Sequence, residues 1–387
     1  GLFERKRVYE NEEILSFLSR KNVLPKYGFP VDTVELSITD RSANNNLGLE
    51  LQRDLQMAIS EYAPGSQVVA NGKLITSRYI KRVPNMSWKM FDYLYCGKCN
   101  SLNIEPHVIE DEYSNLTHCH QCNSQINKLA RKTFLIPEFG FEADGSKIQK
   151  PSLIKPDKTY RNDIAYVGTE QIRPVKFRIG KADIELYISQ SDKMVILNES
   201  NFYVCESCGF TDLDEKHFMY TKKMKHKNAS GYFCSNNMLK RYSLGYRFET
   251  DVLQLRFLNP DLADWEVAIS VLYALLKGIS NNLNIDQNDI SGCLQYFYNS
   301  ISFRPNYALI FYDRTPGGAG YVKRINNHET LYNVIKETFD SINECNCGGE
   351  AMDSSCYSCL RNYYNQKYHD ILKRRYVIDF LRKVLDK

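Results

Sequence analysis

The sequence lacks several patterns whose absence narrows its function. It has no run of about 18 apolar residues, since the longest apolar stretch, Val267 to Leu276, is broken by Ser270 and followed by Lys277, so no transmembrane helix is expected. No signal-peptide pattern opens the chain, which begins Gly-Leu-Phe without an initiator Met. A cytoplasmic fragment or processed chain is therefore expected. No G-x-x-x-x-G-K-[ST] phosphate loop is present, because Gly72-Lys73, Gly97-Lys98 and Gly180-Lys181 all lack the earlier glycine and the Ser/Thr. H-E-x-x-H and G-x-S-x-G are missing too, so neither a zincin nor a nucleophile-elbow hydrolase is indicated.

Cysteine is what the chain has in quantity. Ten of its 12 cysteines fall into five close C-x-C or C-x-x-C pairs, a spacing that chelates metal more readily than it bridges distant strands. The remaining composition, 43% hydrophobic and 25% charged over 387 residues, is that of a globular protein with two or three domains. A net charge of +4 permits a nucleic-acid partner without demanding one.

The expected class is α+β: a small β-rich N-terminal unit with a zinc ribbon, then an α+β zinc-binding C-terminal domain. The expected segments are a helix plus β-rich unit over 1–95, a ribbon and β-rich segment over 96–200, and a zinc-binding domain over 201–387. Helical spacing covers 10–23, and alternation covers Val31 to Ile38. Asn71-Gly72 between Ser66–Ala70 and Lys73–Ser77 predicts a hairpin on a type I′ turn, which needs positive φ at both central residues. Short strands are expected over 123–200, with Phe134 and Val195 as examples. Helices are expected from Trp265 to Ile279 and from about 360 to 385, and Tyr307 to Tyr312 reads as a buried strand running into a glycine-rich loop. Asp313 beside that loop reads as a capping residue before a catalytic carboxylate.

Three metal sites are expected. Cys96, Cys99, Cys119 and Cys122 have zinc-ribbon spacing, and four thiolates leave no coordination position for water, so the site is structural. The bland alternative is four free buried thiols. Cys345, Cys347, Cys356 and Cys359 form a second quartet that would hold zinc or, as the rival, an iron–sulfur cluster. Cys205, Cys208 and Cys234 form the third with His226, and His217 competes for the fourth position. Cys293 reads as a core thiol on a helix.

Basic residues gather in the segment Thr221 to Lys227, with Lys222, Lys223 and Lys225 as candidate DNA contacts, and again at Arg361, Lys367, Lys373, Arg374 and Arg375, where Tyr364 is interleaved. This mix suits phosphate contacts plus base stacking, and a solvated helix face explains it equally well.

The last third of the chain resembles the MrfA-type zinc-binding domain (MZB), found in certain superfamily 2 DNA helicases and in anti-phage proteins. The resemblance rests on Leu244-Gly-Tyr-Arg-Phe-Glu-Thr-Asp-Val-Leu-Gln-Leu-Arg-Phe257, on Tyr312-Asp-Arg-Thr-Pro-Gly-Gly-Ala-Gly-Tyr321, and on the Cys345 to Cys359 quartet followed by Leu360-Arg-Asn-Tyr and His369. Ser355 stands where the family often carries glycine. Upstream, Val23 to Val31 and Ser60 to Val69 look like the segment that follows the motor domains of such helicases. The resemblance implies zinc on Cys345, Cys347, Cys356 and Cys359, DNA as a partner, and helicase motor domains or a helicase subunit as another. It also implies a fragment with no catalytic site of its own, whose ATPase lies elsewhere in the parent helicase. The competing class is a zinc-stabilised protein–protein module of a multi-subunit defence complex.

Overall fold

A computed structural model describes residues 32–39, 51–108, 116–145, 148–151, 156, 162–168, 173–315 and 317–387. The helix expected over 10–23 lies outside them. The expected α+β class is what the structure shows, with sheet dominating. Among the described residues no helix is long and apolar enough to cross a membrane.

The fold is organised by two long strands. Ala182–Val204 (β1) and Met238–Asn259 (β2) pair antiparallel along most of their length, with irregularities at Asp183/Ile184, Ser189/Asp192 and Asn198/Phe202. Each irregularity bends the ribbon, which lets strands this long curl around two cores instead of running flat. Val195 thus lies in one 23-residue strand, not in the short strand expected, because the sequence carries no Gly or Pro to interrupt it.

The strand Arg304–Asp313 (β4) joins β2 through Val252–Leu255 and forms a hairpin with Ile290–Asn299 (β3). Tyr307, Leu309 and Phe311 face one core, while Ala308, Ile310 and Tyr312 face the other. Burial on both faces explains why this strand reads as an unbroken apolar run and not as an alternation. Cys293 lies on β3, in the second core, so the helix expected for it is corrected to a strand.

The first core is closed by three helices, Trp265–Leu283 (α2), His328–Glu344 (α3) and Arg374–Leu385 (α4). Asp264 caps the first, its carboxylate accepting from the Val267 amide at 3.0 Å, and Asn327 caps the second at the Thr330 amide. The second core lies against a five-stranded sheet and the helix Leu55–Glu61 (α1). In that sheet the expected hairpin is present, with Asn71 at φ 45° and Gly72 at φ 66°.

The expected helix from 360 to 385 is half right. Only Arg374–Leu385 is α-helical, and Tyr363–Tyr368 is a separate 3₁₀ segment. The asparagines decide this. The Asn362 side chain accepts from the Tyr364 and Asn365 amides, and Asn365 returns the bond to the Asn362 amide. His369 then closes on the Asn362 carbonyl at 3.1 Å. Such local side-chain bonds offer the backbone an alternative to continued helix.

Candidate metal centres

Each cysteine cluster is built from tight turns that aim two sulfurs the same way. In the first, which follows the strand Lys89–Tyr95, the Asn100 amide donates to the Cys96 carbonyl at 2.8 Å and the Asn123 amide to the Cys119 carbonyl at 2.9 Å. Asn100 and Asn123 both take positive φ, which closes each turn just after its second cysteine. The two knuckles then face each other, with Cys96 Sγ 3.6 Å from Cys122 Sγ and Cys99 Sγ 3.5 Å from Cys119 Sγ.

The second cluster brings together Cys205, Cys208, His226 and Cys234. Cys205 and Cys234 sulfurs are 3.8 Å apart, and Cys208 Sγ is 3.3 Å from His226 Nε2. His226 is the histidine placed here. Its Nδ1 lies 3.0 Å from the Met224 carbonyl, a bond that requires a proton on Nδ1 and leaves the Nε2 lone pair free to bind metal. Its ring stacks on Phe210 at 4.6 Å. His217 is turned elsewhere, with Nε2 at 3.1 Å from the Thr221 carbonyl.

The third cluster places Cys345 Sγ 3.6 Å from Cys347 and 3.7 Å from Cys356, with Cys347 3.6 Å from Cys359. The short C-x-C half works because Gly348 and Gly349 both take positive φ and turn the chain back at once.

These separations test which metal fits. Zinc–sulfur bonds of about 2.3 Å in a tetrahedron put sulfurs about 3.8 Å apart, which the sulfur pairs of all three clusters approach. An iron–sulfur cluster divides its four cysteines between two or four irons and so spreads them, whereas all four sulfurs of the third quartet lie within 4.8 Å of one another, which suits one ion. Four ligands fill a tetrahedron, leaving no place for a reactive water.

The acid–base state of the thiols points the same way. Burial pushes Cys99 up to about 12. Burial also acts upward on Cys122, but hydrogen bonds from Ser124 and its cysteine neighbours outweigh it and bring that thiol down to about 6. The Cys208 thiol holds Cys205 down to about 4 and is itself pushed up. Crowded sulfurs sharing protons behave in this way, and a divalent cation removes the conflict by accepting all of them as thiolates.

The residues expected to meet DNA are distributed unevenly. Lys223, Lys225, Tyr364, Lys367 and Arg375 are exposed. Lys222 is held by Asp212 at 2.7 Å and Asp214 at 2.6 Å, and Arg375 pairs with Asp353 at 3.0 Å. Arg361 turns inward to the Ser355 hydroxyl and the His369 carbonyl. Lys373 is half-buried, its ammonium over the Tyr376 ring, and Tyr364 lies beneath Arg314, whose guanidinium is 4.0 Å from the ring centroid. Arg374 is a correction. It is only 3% exposed, and its guanidinium donates to the carbonyls of Ile342, Asn343 and Cys347, so it is a structural clasp and not a phosphate ligand.

The glycine-rich loop after β4 has a structural role as well. One Asp313 oxygen accepts from the Ala319 and Tyr321 amides at 2.7 and 3.0 Å, and the other from Val322. Asp251, which the sequence reading passed over, accepts from the Gly320 amide, and a Cβ on Gly318 would come within 2.3 Å of its carboxylate. Beside the basic segment ending at Lys227 stand the exposed rings of Phe218, Tyr232 and Phe233, which no sequence expectation covers, although the absence of any acid between Lys216 and Arg241 marks that stretch.

Comparison with known proteins follows this geometry. Residues 271–360 match MZB, the MrfA Zn-binding domain. The chain is 24% identical over 421 aligned residues to Druantia protein DruE of Escherichia coli (strain UMEA 4076-1), covering 97% of this chain and 22% of that protein. It thus spans about a fifth of DruE's length. Among solved structures it is similar to the DUF1998 helicase MrfA bound to DNA, at 10% identity and a TM-score of 0.36, over 90% of this chain and 34% of that one.

Proposed function

We propose that this zinc-binding chain, whose residues 271–360 are an MrfA-type Zn-binding domain, is the zinc-organised, DNA-contacting part of an ATP-dependent superfamily 2 DNA helicase serving phage defence or DNA repair. The proposed ligands are Cys96, Cys99, Cys119 and Cys122; Cys205, Cys208, His226 and Cys234; and Cys345, Cys347, Cys356 and Cys359. The observation that carries the reading is that each of the three clusters brings four potential ligand atoms within 4.8 Å of one another, enough to close a zinc coordination sphere. A saturated ion supplies folding energy and stiffness and no chemistry, so this chain acts by holding surfaces in place. The similarity to Druantia protein DruE, over 97% of this chain, stands beside the MZB match in support of the reading.

Of the surfaces so held, those around the second and third clusters carry the exposed cations Lys223, Lys225, Lys367 and Arg375 with Tyr364 among them. Lysine and arginine on rigid supports bind the phosphate backbone by releasing counterions. The test is fluorescence anisotropy of labelled DNA with the zinc-loaded chain across a salt series. Binding that weakens steeply with salt is expected. No binding of any DNA at low salt would overturn the reading and leave the protein–protein module as the better account.

A further inference from the structure

The segment from Lys216 to Arg241, which wraps the second cluster, combines features that the reading above leaves unexplained. It contains Lys216, Lys222, Lys223, Lys225, Lys227, Lys240 and Arg241 and not one Asp or Glu. It also displays large rings to solvent, with Phe218 79% exposed and both Tyr232 and Phe233 74% exposed. Exposed aromatic surface of this size is costly in water unless something covers it.

The backbone beneath these rings is firmly held. The Tyr203 hydroxyl donates to the carbonyls of His217 and Met219, both at 2.8 Å, while Arg241 donates to the Phe218 and Tyr220 carbonyls. At the far end the Asn228 side chain accepts from the Tyr232 amide, the Cys234 amide bonds the His226 carbonyl, and Tyr79 donates to the Lys227 carbonyl. Thus the cluster and its supports fix the main chain, and the side chains alone face outward. A displayed ring whose backbone is already ordered loses little entropy on binding.

Charge decides the partner. The Lys222 ammonium is spent on Asp212 and Asp214, and Lys240 on Glu206. Lys216, Lys223, Lys225 and Lys227 remain exposed, and the Lys227 ammonium stands 5.3 Å from the Phe233 ring centroid. Rings interleaved with ammonium groups, with the neighbouring acids Asp212, Asp214 and Glu206 already engaged by Lys222 and Lys240, complement a strand with anionic backbone and open π-faces. A duplex offers the phosphates and hides the faces of its bases.

We infer that this finger is a single-strand-binding element, in which Phe218, Tyr232 and Phe233 stack on unpaired bases and Lys223, Lys225 and Lys227 contact the flanking phosphates. The inference rests on the proposed DNA contact and narrows it to one strand form and one finger.

The test uses the full zinc-loaded chain and anisotropy of fluorescein-labelled oligo(dT) beside a blunt duplex of equal length. A variant carrying F218A, Y232A and F233A is expected to lose on the order of tenfold or more in single-strand affinity, with duplex affinity and zinc content unchanged. A variant carrying K223Q, K225Q and K227Q is expected to flatten the single-strand salt dependence by about 2 in log–log slope. Unchanged single-strand affinity in the ring variant would overturn the inference, and so would equal losses on both DNA forms. Sedimentation with phosphatidylglycerol vesicles is the remaining arm: vesicle binding lost in the ring variant, with oligo(dT) affinity intact, would assign the rings to a lipid surface. If the unaltered chain binds neither DNA form, the proposed function fails too; if it binds duplex but not oligo(dT), this inference fails alone.

Discussion

The guanidinium of Arg374, at the first turn of α4, donates to the carbonyl oxygen of Cys347, inside the third metal cluster. The same group bonds the Ile342 carbonyl at 3.0 Å and the Asn343 carbonyl at 3.4 Å, at the C-terminal end of α3. One buried cation therefore ties two helices to a cysteine turn. It meets carbonyls that a helix end leaves without partners, where the helix dipole favours positive charge.

Replacing Arg374 by Met is accordingly expected to destabilise the chain by roughly 3 kcal/mol, since each buried carbonyl stripped of its donor costs about 1–3 kcal/mol. Denaturant titration measures this. DNA affinity of the folded fraction should not change, and a selective loss of DNA binding at full stability would contradict the burial argument.

Elemental analysis of the reduced protein should find three zinc ions per chain, one for each cluster. His226→Ala should lower the count by one, whereas His217→Ala should leave it unchanged, because only His226 presents a free Nε2 to the sulfurs. Prolonged chelation is expected to remove the metal and collapse the knuckles, seen as loss of protease resistance around 96–122, 205–234 and 345–359.

Cys293 provides a pH dependence. Burial pushes its thiol from 9.0 up to about 12, so the folded state keeps a proton that the unfolded chain releases above pH 9. Fewer protons bound in the unfolded state means stability falls as pH rises, by about 1.4 kcal/mol per pH unit for one such group. The window runs from pH 9 to about 12. Cys293→Ala should remove one proton's worth of that slope in denaturation series at pH 8 to 11, and an identical slope would refute the assignment.

Asp313 holds three amides of the glycine-rich loop with its two oxygens. Asn at this position keeps the shape but turns an amino group toward amide donors. Asp313→Asn should therefore cost on the order of 2–3 kcal/mol and raise hydrogen exchange at residues 317–323 well above that of α2.

Local chemistry made the metal sites legible. The pairs at Cys96/Cys99, Cys119/Cys122 and Cys356/Cys359 show in the sequence because two thiolates on one turn need only two intervening residues, whatever the rest of the chain does. The Asn71-Gly72 hairpin, the buried strand at Tyr307 to Tyr312 and the capping role of Asp313 were readable for the same reason, each being set by neighbours in sequence.

Long-range packing hid the rest. Arg374 looks like its neighbour Arg375, and only the end of α3, some thirty residues earlier, decides that one is buried and the other exposed. His217 and His226 are equivalent as letters, and the bond from His226 Nδ1 to the Met224 carbonyl decides between them. Residue types and short spacings thus settled which chemistry this chain can hold. Its fold settled which of several equally suited side chains reach a cysteine cluster, a helix end or the solvent, because those outcomes depend on contacts between segments far apart in the chain.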